Sequence, residues 1–215
     1  MLENNVNNKE REPVIEIVFI IDKSGSMSGL ESDTISGFNS MLKEQQAQPG
    51  AAVITTVFFN NNCFLLHDRI DVHAVAPITA KEYQVGGSTA LLDAVGKTIK
   101  RLRKKQEPMV PELRGKALFF IITDSVENSS IKYSYDEVMN IIKHQKEKDM
   151  WDFIFIGANI DEISEAAKIG IDANRVIEFF SNRAGVFNSW STISAFCTLF
   201  RSIFKSQYPS NKLRA

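Results

Sequence analysis

The sequence predicts an α/β protein, with a doubly wound and mostly parallel sheet, helices on both faces and one antiparallel hairpin near an edge. The main observation is a set of short runs that are too apolar for half-exposed strands, which is typical of strands buried on both faces. Segments with apolar residues at helical spacing alternate with these runs, and this alternation favours parallel pairing. The runs lie at 15–21, 116–122 and 151–156.

Composition limits the class of protein. The 215 residues are 44% hydrophobic and 24% charged, which is ordinary for one globular domain. The formal net charge of −1 argues against nucleic-acid binding through bulk electrostatics. Two cysteines, Cys63 and Cys197, are too few for a disulfide framework, and no Cys/His cluster indicates zinc.

The ends of the chain are predicted to be polar segments outside the domain. Residues 1–12 are expected to be a disordered lead-in, 13–205 the domain, and 206–215 a polar tail. The lead-in has no apolar segment of the signal-peptide kind, and no run reaches the roughly 20 apolar residues that cross a bilayer. We therefore expect a cytoplasmic protein with no membrane partner.

The first half of the chain is predicted to place a hairpin after the first helix. Apolar side chains at helical spacing predict a helix that Pro49-Gly50 ends. Asn60-Asn-Asn62 is a turn signal between two further apolar runs, which predicts an antiparallel hairpin. The predicted elements are a helix at 30–48, strands at 52–59 and 63–67, and a further short edge strand at 69–75.

The second half is predicted to be mostly helical around two buried strands. A basic run at 97–105 near one helix end complements the helix dipole, and we interpret it as a solvated helix end. Asp161 is expected to cap a short helix, and the aromatic stripe of the last helix is interpreted as core packing. The predicted elements are helices at 90–105, 134–148, 163–169 and 187–207 and an edge strand at 175–180.

Three oxygen-bearing side chains follow the first buried run. Asp22, Ser24 and Ser26 alternate with Lys23 and Gly25, so their oxygens can converge from one loop. Open α/β sheets bind ligands at the carboxyl ends of their strands, where this loop is expected. Hard oxygen donors favour Mg²⁺, Mn²⁺ or Ca²⁺ over zinc or copper. The alternative is a serine N-cap with an Asx-turn, and the loop alone is compatible with both.

Two later segments bear on this choice. Thr89 follows Gly86-Gly87-Ser88 at a predicted helix start, where the alternative is a sharp turn with Ser88 or Thr89 as N-cap. The segment lacks the Gly-Lys-Ser/Thr of a P-loop, so a phosphate cradle is disfavoured. Asp124 ends the second buried run, and in a parallel sheet it emerges at the same edge as Asp22. Two carboxylates at such a short distance repel each other unless a cation lies between them. Their expected proximity therefore favours a metal site over two independent caps.

Read together, Asp22-x-Ser24-x-Ser26, Thr89 and Asp124 resemble a von Willebrand factor type A (VWA) domain with the metal-ion-dependent adhesion site (MIDAS) motif. The resemblance covers about 13–205 and is nearest to stand-alone bacterial members. It implies a Rossmann-like fold, with Ser24 and Ser26 ligating the metal through hydroxyls and Thr89 directly or through water. Asp22 and Asp124 would bind directly or through water. One position of a six-coordinate Mg²⁺ would stay open for an Asp or Glu carboxylate from a protein partner.

The sequence departs from the family pattern after the second aspartate. Ser125 stands where the family usually has glycine. If this position required positive φ, serine would cost about 1 kcal/mol or more. Otherwise the turn is rearranged, or the Ser125 hydroxyl lies near the metal. Glu127 resembles the acidic residue that often follows here, and we expect it to support the ligands.

These observations favour a non-catalytic, metal-dependent protein-binding module. The sequence shows no nucleophile–base pair, and its three histidines lie away from the metal loops; His67 and His73 are interpreted as polar faces of edge strands. The alternative is a metal-dependent phosphohydrolase with Asp22 as nucleophile. Ser24 disfavours it, because a second acid is expected at that place. A third hypothesis is a structural domain that binds no metal.

Overall fold

A computed structural model describes residues 14–157, 160–178 and 183–207, and within them it has one six-stranded sheet. The order is β3-β2-β1-β4-β5-β6, in which every pairing is parallel except β2 with β3. The predicted fold class is therefore confirmed. The strands are β1 (Ile15–Asp22), β2 (Ala52–Phe59), β3 (Cys63–Asp71), β4 (Ala117–Ile122), β5 (Asp152–Gly157) and β6 (Val176–Glu178).

Helices cover both faces of the sheet. One apolar cluster joins β1 to the first and last helices through Phe19, Phe38 and Trp190. A second cluster joins the other face of the sheet to the remaining helices through residues such as Val95 and Ile142. None of the described helices is long and apolar enough to span a bilayer. The helices are α1 (Glu31–Gln46), α2 (Leu91–Gln106), α3 (Tyr135–Lys148), α4 (Ile160–Lys168) and α5 (Arg183–Gln207).

The strand order makes the carboxyl end of β1 the natural place for a ligand. The chain builds outward from β1 to β2 and β3, then crosses to β4 on the other side of β1. Ligands of open α/β sheets bind at such a switch point, in the crevice between the two diverging crossovers. Ile21 of β1 pairs with Ile122 of β4, so the residues that follow both strands emerge side by side.

Several predicted boundaries were wrong. The hairpin partner is one strand, Cys63–Asp71, and not a short strand followed by a second at 69–75. The register shifts opposite Thr56, and beyond the shift the Arg69 guanidinium binds the buried Glu16 carboxylate at 2.7 Å. This pairing keeps the chain on the sheet edge until the 3₁₀ turn Val72–Ala74.

The last two helices begin earlier than predicted. α4 starts at Ile160, so Asp161 lies in the first turn and does not precede the helix. α5 starts at Arg183 and not at residue 187, and it includes residues 206 and 207 of the predicted tail. The predicted lead-in 1–12, the tail beyond 207 and residues 179–180 of the last predicted strand lie outside the described residues.

Candidate metal site

Three loops meet at the carboxyl edge of the sheet: the loop after β1, the segment before α2 and the loop after β4. Backbone hydrogen bonds connect them. The Gly25 N–H donates to the Gly87 carbonyl at 2.9 Å, and the Asn128 N–H donates to the Thr89 carbonyl at 3.0 Å. The Thr89 N–H in turn donates to the Asn128 side-chain oxygen at 2.8 Å. The middle segment is therefore fixed to both of its neighbours.

Asp22 is the centre of this arrangement, because it is fully buried and accepts hydrogen bonds at both carboxylate oxygens. Oδ1 accepts from the Ser24 N–H at 2.6 Å. Oδ2 accepts from the Thr123 hydroxyl at 2.6 Å and from the Ser125 hydroxyl at 3.2 Å. Burial raises the pKa of Asp22, and the negative charge of Asp124 adds to the rise.

Hydroxyl groups extend from Asp22 in two directions. Ser24 Oγ lies 2.9 Å from Ser26 Oγ, with Ser24 buried and Ser26 exposed. On the other side, Ser125 Oγ lies 2.7 Å from Oγ1 of the buried Thr89. A connected set of hydrogen bonds therefore runs from the exposed Ser26 through Ser24, Asp22 and Ser125 to Thr89.

Asp124 has a buried oxygen that lacks a partner. Its Oδ1 is inaccessible to solvent and has no hydrogen bond within the described residues. Burial raises the pKa of Asp124, and the nearby Ser26 hydroxyl partly offsets the rise. A buried carboxylate oxygen without a donor is costly, and a bound ion is one standard way to satisfy it. The orphaned oxygen and the hydroxyl-rich surroundings fit a hard divalent cation.

The structure thus brings the five predicted residues into one cluster. They are Asp22, Ser24, Ser26, Thr89 and Asp124. No group of three or more His, Cys, Asp or Glu side chains is placed to hold a metal in the described part of the chain. The cluster contributes two carboxylates, and its other oxygens come from serine and threonine. Such a donor set suits Mg²⁺, Mn²⁺ or Ca²⁺ and not zinc.

Ser125 is accommodated without backbone strain. Positive φ among the described non-glycine residues occurs at Arg69 and Met150, and not at Ser125. The serine instead places its hydroxyl between Thr89 and Asp22, as described above. Of the three possibilities raised by the sequence for Ser125, the structure therefore shows the one in which the hydroxyl lies within the cluster.

The helix-capping alternative at Thr89 was wrong. The N-cap of α2 is Ala90, and no side chain caps this helix end. The Thr89 hydroxyl bonds Ser125 instead. In the first loop the Asx-turn contact from Ser24 N–H to Asp22 is present, but the Ser24 side chain makes no capping bond to the 3₁₀ turn Gly25–Met27.

Glu127 links the loop after β4 to the start of α2. Its Oε1 accepts the N–H groups of Ser129 and Ser130 at 2.8 and 2.6 Å. Its Oε2 accepts the Leu92 N–H at 2.9 Å, which satisfies one of the free donors at the helix start. With both oxygens occupied, Glu127 is a positioning residue for the loop that carries Asp124.

Two residues of the cluster were missed from the sequence. Thr123 donates to Asp22, and the signal for it was a hydroxyl directly before Asp124 at the end of an apolar strand. Tyr83 is 1% exposed, and its hydroxyl donates to the Asp22 carbonyl at 2.6 Å. Tyr83 carries no local signal, because the contact joins residues 61 positions apart.

Comparisons with solved structures identify the fold. The vWF domain of the type V pili tip protein Mfa5 from Porphyromonas gingivalis matches with a TM-score of 0.61 at 10% identity, over 88% of this chain and 97% of that one. A von Willebrand factor type A protein from Catenulispora acidiphila matches with a TM-score of 0.60 at 15% identity, over 87% of this chain and 43% of that one. The chain has a VWA-like fold.

These likenesses show the fold alone, because the identities are low. The pilus adhesin SpaC from Lactobacillus rhamnosus GG also shares the VWA-like fold, with a TM-score of 0.67 at 11% identity, over 90% of this chain and 31% of that one. The chain spans 46% of a mussel byssus thread matrix protein and 64% of the PilB minor pilin from Streptococcus sanguinis, which also match. Scans against protein-family models and curated protein sequences found no match.

Proposed function

We propose that the chain is a non-catalytic protein-binding module that holds a divalent cation at a MIDAS-type site. The preferred cation would be Mg²⁺. Asp22, Ser24, Ser26, Thr89 and Asp124 would hold the cation. The observation that carries the proposal is the buried Oδ1 of Asp124, which has no hydrogen-bond partner in the described structure and lies beside a cluster of hydroxyls. A cation there would also relieve the repulsion between Asp124 and Asp22.

The chemistry of the cluster fits capture of a carboxylate. When bound, the metal supplies a positive charge with an open coordination position. Three of the five donors are neutral hydroxyls, and where the two carboxylates bind through water the cation would keep much of this charge. An Asp or Glu side chain of a partner protein would complete the octahedral shell.

One positive charge, that of Lys23, directly follows Asp22 in the chain. The Lys23 ammonium lies 3.8 Å from the centre of the Phe64 ring, at the start of β3. This cation–π contact holds a positive charge in the loop that follows Asp22. We propose that Lys23 attracts acidic segments of the partner toward the metal.

An enzymatic role for Asp22 is disfavoured by its surroundings. Both carboxylate oxygens already accept hydrogen bonds, and the residue is fully buried. A nucleophile needs an accessible oxygen, so phosphohydrolase chemistry at Asp22 would require these bonds to break. The fold neighbours include a pilus adhesin and a pilus tip protein, and these names suggest interaction and not turnover.

Calorimetric titration of Mg²⁺ tests the metal site. Asp124→Asn keeps the shape of the side chain and removes the charge, while Asp136→Asn makes the same change at an exposed position in α3. We expect binding in the wild type and in Asp136→Asn, and none in Asp124→Asn. At 100 times Kd, binding adds about 2.7 kcal/mol to the free energy of unfolding. Equal binding in all three proteins, or none in the wild type, would overturn the site.

Capture of a partner is tested separately. A pull-down from source cells in Mg²⁺ should recover a protein that EDTA releases and that Asp124→Asn does not retain. Recovery that is unaffected by EDTA would contradict metal-dependent capture.

A cytoplasmic location stays a prediction, which cell fractionation with an antibody would check.

A further inference from the structure

The hydroxyl of Ser125 lies between two of the residues that would hold the cation. Its Oγ lies 2.7 Å from Oγ1 of Thr89 and 3.2 Å from Oδ2 of Asp22. The backbone beneath it is fixed as well, because the Ser125 N–H donates to the Thr123 hydroxyl at 3.2 Å. Ser125 therefore occupies a defined place beside the candidate metal site, although it is not among the five predicted ligands.

The single hydrogen of the Ser125 hydroxyl fixes the direction of both bonds. A serine hydroxyl can donate once and accept twice, whereas an ionised carboxylate can only accept. The bond to Asp22 therefore uses the Ser125 hydrogen. In the other bond the Thr89 hydroxyl must then be the donor and Ser125 the acceptor. The reverse assignment would turn a lone pair of the Ser125 oxygen toward the Asp22 carboxylate, which is repulsive.

This direction leaves both lone pairs of the Thr89 oxygen unused. The Thr89 hydroxyl has no second hydrogen-bond partner in the described part of the chain, and the residue is only 2% exposed. A hydroxyl ligates a hard cation in this orientation, with its hydrogen turned away and its lone pairs free. Mg²⁺ approaches oxygens to about 2.0–2.1 Å, which is closer than a water molecule packs, so a buried oxygen can still serve as a ligand.

The chain of hydrogen bonds from Thr89 ends on a buried charge. Thr89 donates to Ser125, which donates to the fully buried Asp22 carboxylate, and hydrogen bonds in series polarise one another in such surroundings. This polarisation raises the electron density on the Thr89 oxygen. The Thr123 hydroxyl also donates to Asp22, at 2.6 Å, but its other contact is with the Ser125 carbonyl, so it does not replace Ser125.

We propose that Ser125 is a positioning residue that makes Thr89 a direct ligand of the cation. This role rests on the proposed function, since it concerns the same metal site. It decides between direct and water-mediated ligation by Thr89, which the family resemblance left open. It also distinguishes this chain from one with glycine at position 125, where no side chain would accept the Thr89 hydrogen. Partners that orient a metal ligand in this way typically change the metal affinity about 10- to 100-fold.

Calorimetric titration of Mg²⁺ into three variants tests this role. Ser125→Ala removes the hydroxyl, Ser125→Thr keeps one, and Ser129→Ala removes a hydroxyl of the same loop that has no hydrogen-bond partner within the described residues. We expect Ser125→Ala to bind Mg²⁺ about 10- to 100-fold more weakly than the wild type. The other two variants should bind like the wild type. Urea unfolding in EDTA establishes that each variant is folded under the conditions of the titration.

A double-mutant cycle shows whether Ser125 acts through Thr89. Thr89→Val keeps the shape of the side chain and removes the hydroxyl, so Ser125→Ala should cause no further loss in that background. Electron paramagnetic resonance of free Mn²⁺ measures the four affinities, because it follows weak as well as tight binding.

The outcomes separate this role from the metal site itself. Losses that multiply in the double variant would overturn the role of Ser125 and leave the metal site standing. The same holds for Ser125→Ala binding Mg²⁺ as tightly as the wild type or more tightly, and for equal losses in Ser125→Ala and Ser125→Thr. Absence of Mg²⁺ binding by the wild type would overturn both proposals.

Discussion

Replacing Ser125 by alanine removes the hydroxyl that joins Thr89 to Asp22. The bond to Thr89 is 2.7 Å long and joins two neutral groups, which contributes about 1 kcal/mol to stability. The bond to the Asp22 carboxylate is longer, at 3.2 Å, but its acceptor is charged and fully buried, so we assign it about 1.5 kcal/mol. We therefore expect Ser125→Ala to lower the free energy of unfolding by about 2–3 kcal/mol. For a domain of this size the melting temperature falls by about 4–12 °C.

Urea unfolding in EDTA measures this loss without a contribution from metal binding. Ser129→Ala is the matched control, because it makes the same substitution in the same loop. The Ser129 hydroxyl is buried and has no hydrogen-bond partner within the described residues. Its removal breaks no hydrogen bond and takes away an unsatisfied buried hydroxyl, so the free energy of unfolding should stay unchanged or rise. Equal losses in the two variants would refute the assigned role of the Ser125 hydroxyl.

Three further substitutions test the surroundings of the site and the core. Tyr83→Phe removes the buried hydroxyl that donates to the Asp22 carbonyl, and urea unfolding should show a loss of about 1–2 kcal/mol; an unchanged midpoint would mean that the bond contributes nothing. Burial raises the pKa of Glu16 above 4.5, so the folded state binds more protons than the unfolded state and stability falls as pH rises through that window. Unfolding of Glu16→Gln at a series of pH values should show this dependence reduced, and an unaltered profile would contradict it. Gly37→Ala favours helix by about 1 kcal/mol, but its Cβ would overlap the Trp190 ring, and we expect a net loss of about 1–2 kcal/mol by thermal unfolding; a more stable variant would show that the helices can separate at no cost.

Much of the fold could be predicted because its strands are fully buried. All eight residues of β1 and all six of β4 are buried, and apart from Glu16 and Asp22 they are apolar, so these runs stood out from the amphipathic helices. The start of α3 was equally clear, because Ser134 and Glu137 form a capping box. The second half of β3 was less clear, because it lies at the sheet edge and is held there by the distant Glu16.

The candidate site was predictable where its residues follow strand ends. Asp22 and Asp124 come directly after buried runs, and parallel strands place such residues at one edge. The bonds among them were not predictable. Thr89 could have been a helix cap by local rules, and its contact with Ser125 depends on how two loops approach each other.

The sequence by itself determined the parallel sheet and the positions of Asp22 and Asp124 at the ends of two neighbouring strands. Hydrophobic periodicity and strand ends are local properties, so they can be predicted from the sequence alone. Only the tertiary structure decided that Ser125 joins Thr89 to Asp22 and that a buried oxygen of Asp124 has no hydrogen-bond partner among the described residues. Hydrogen-bond satisfaction depends on distances between segments far apart in the chain, and these distances exist only once the chain is packed.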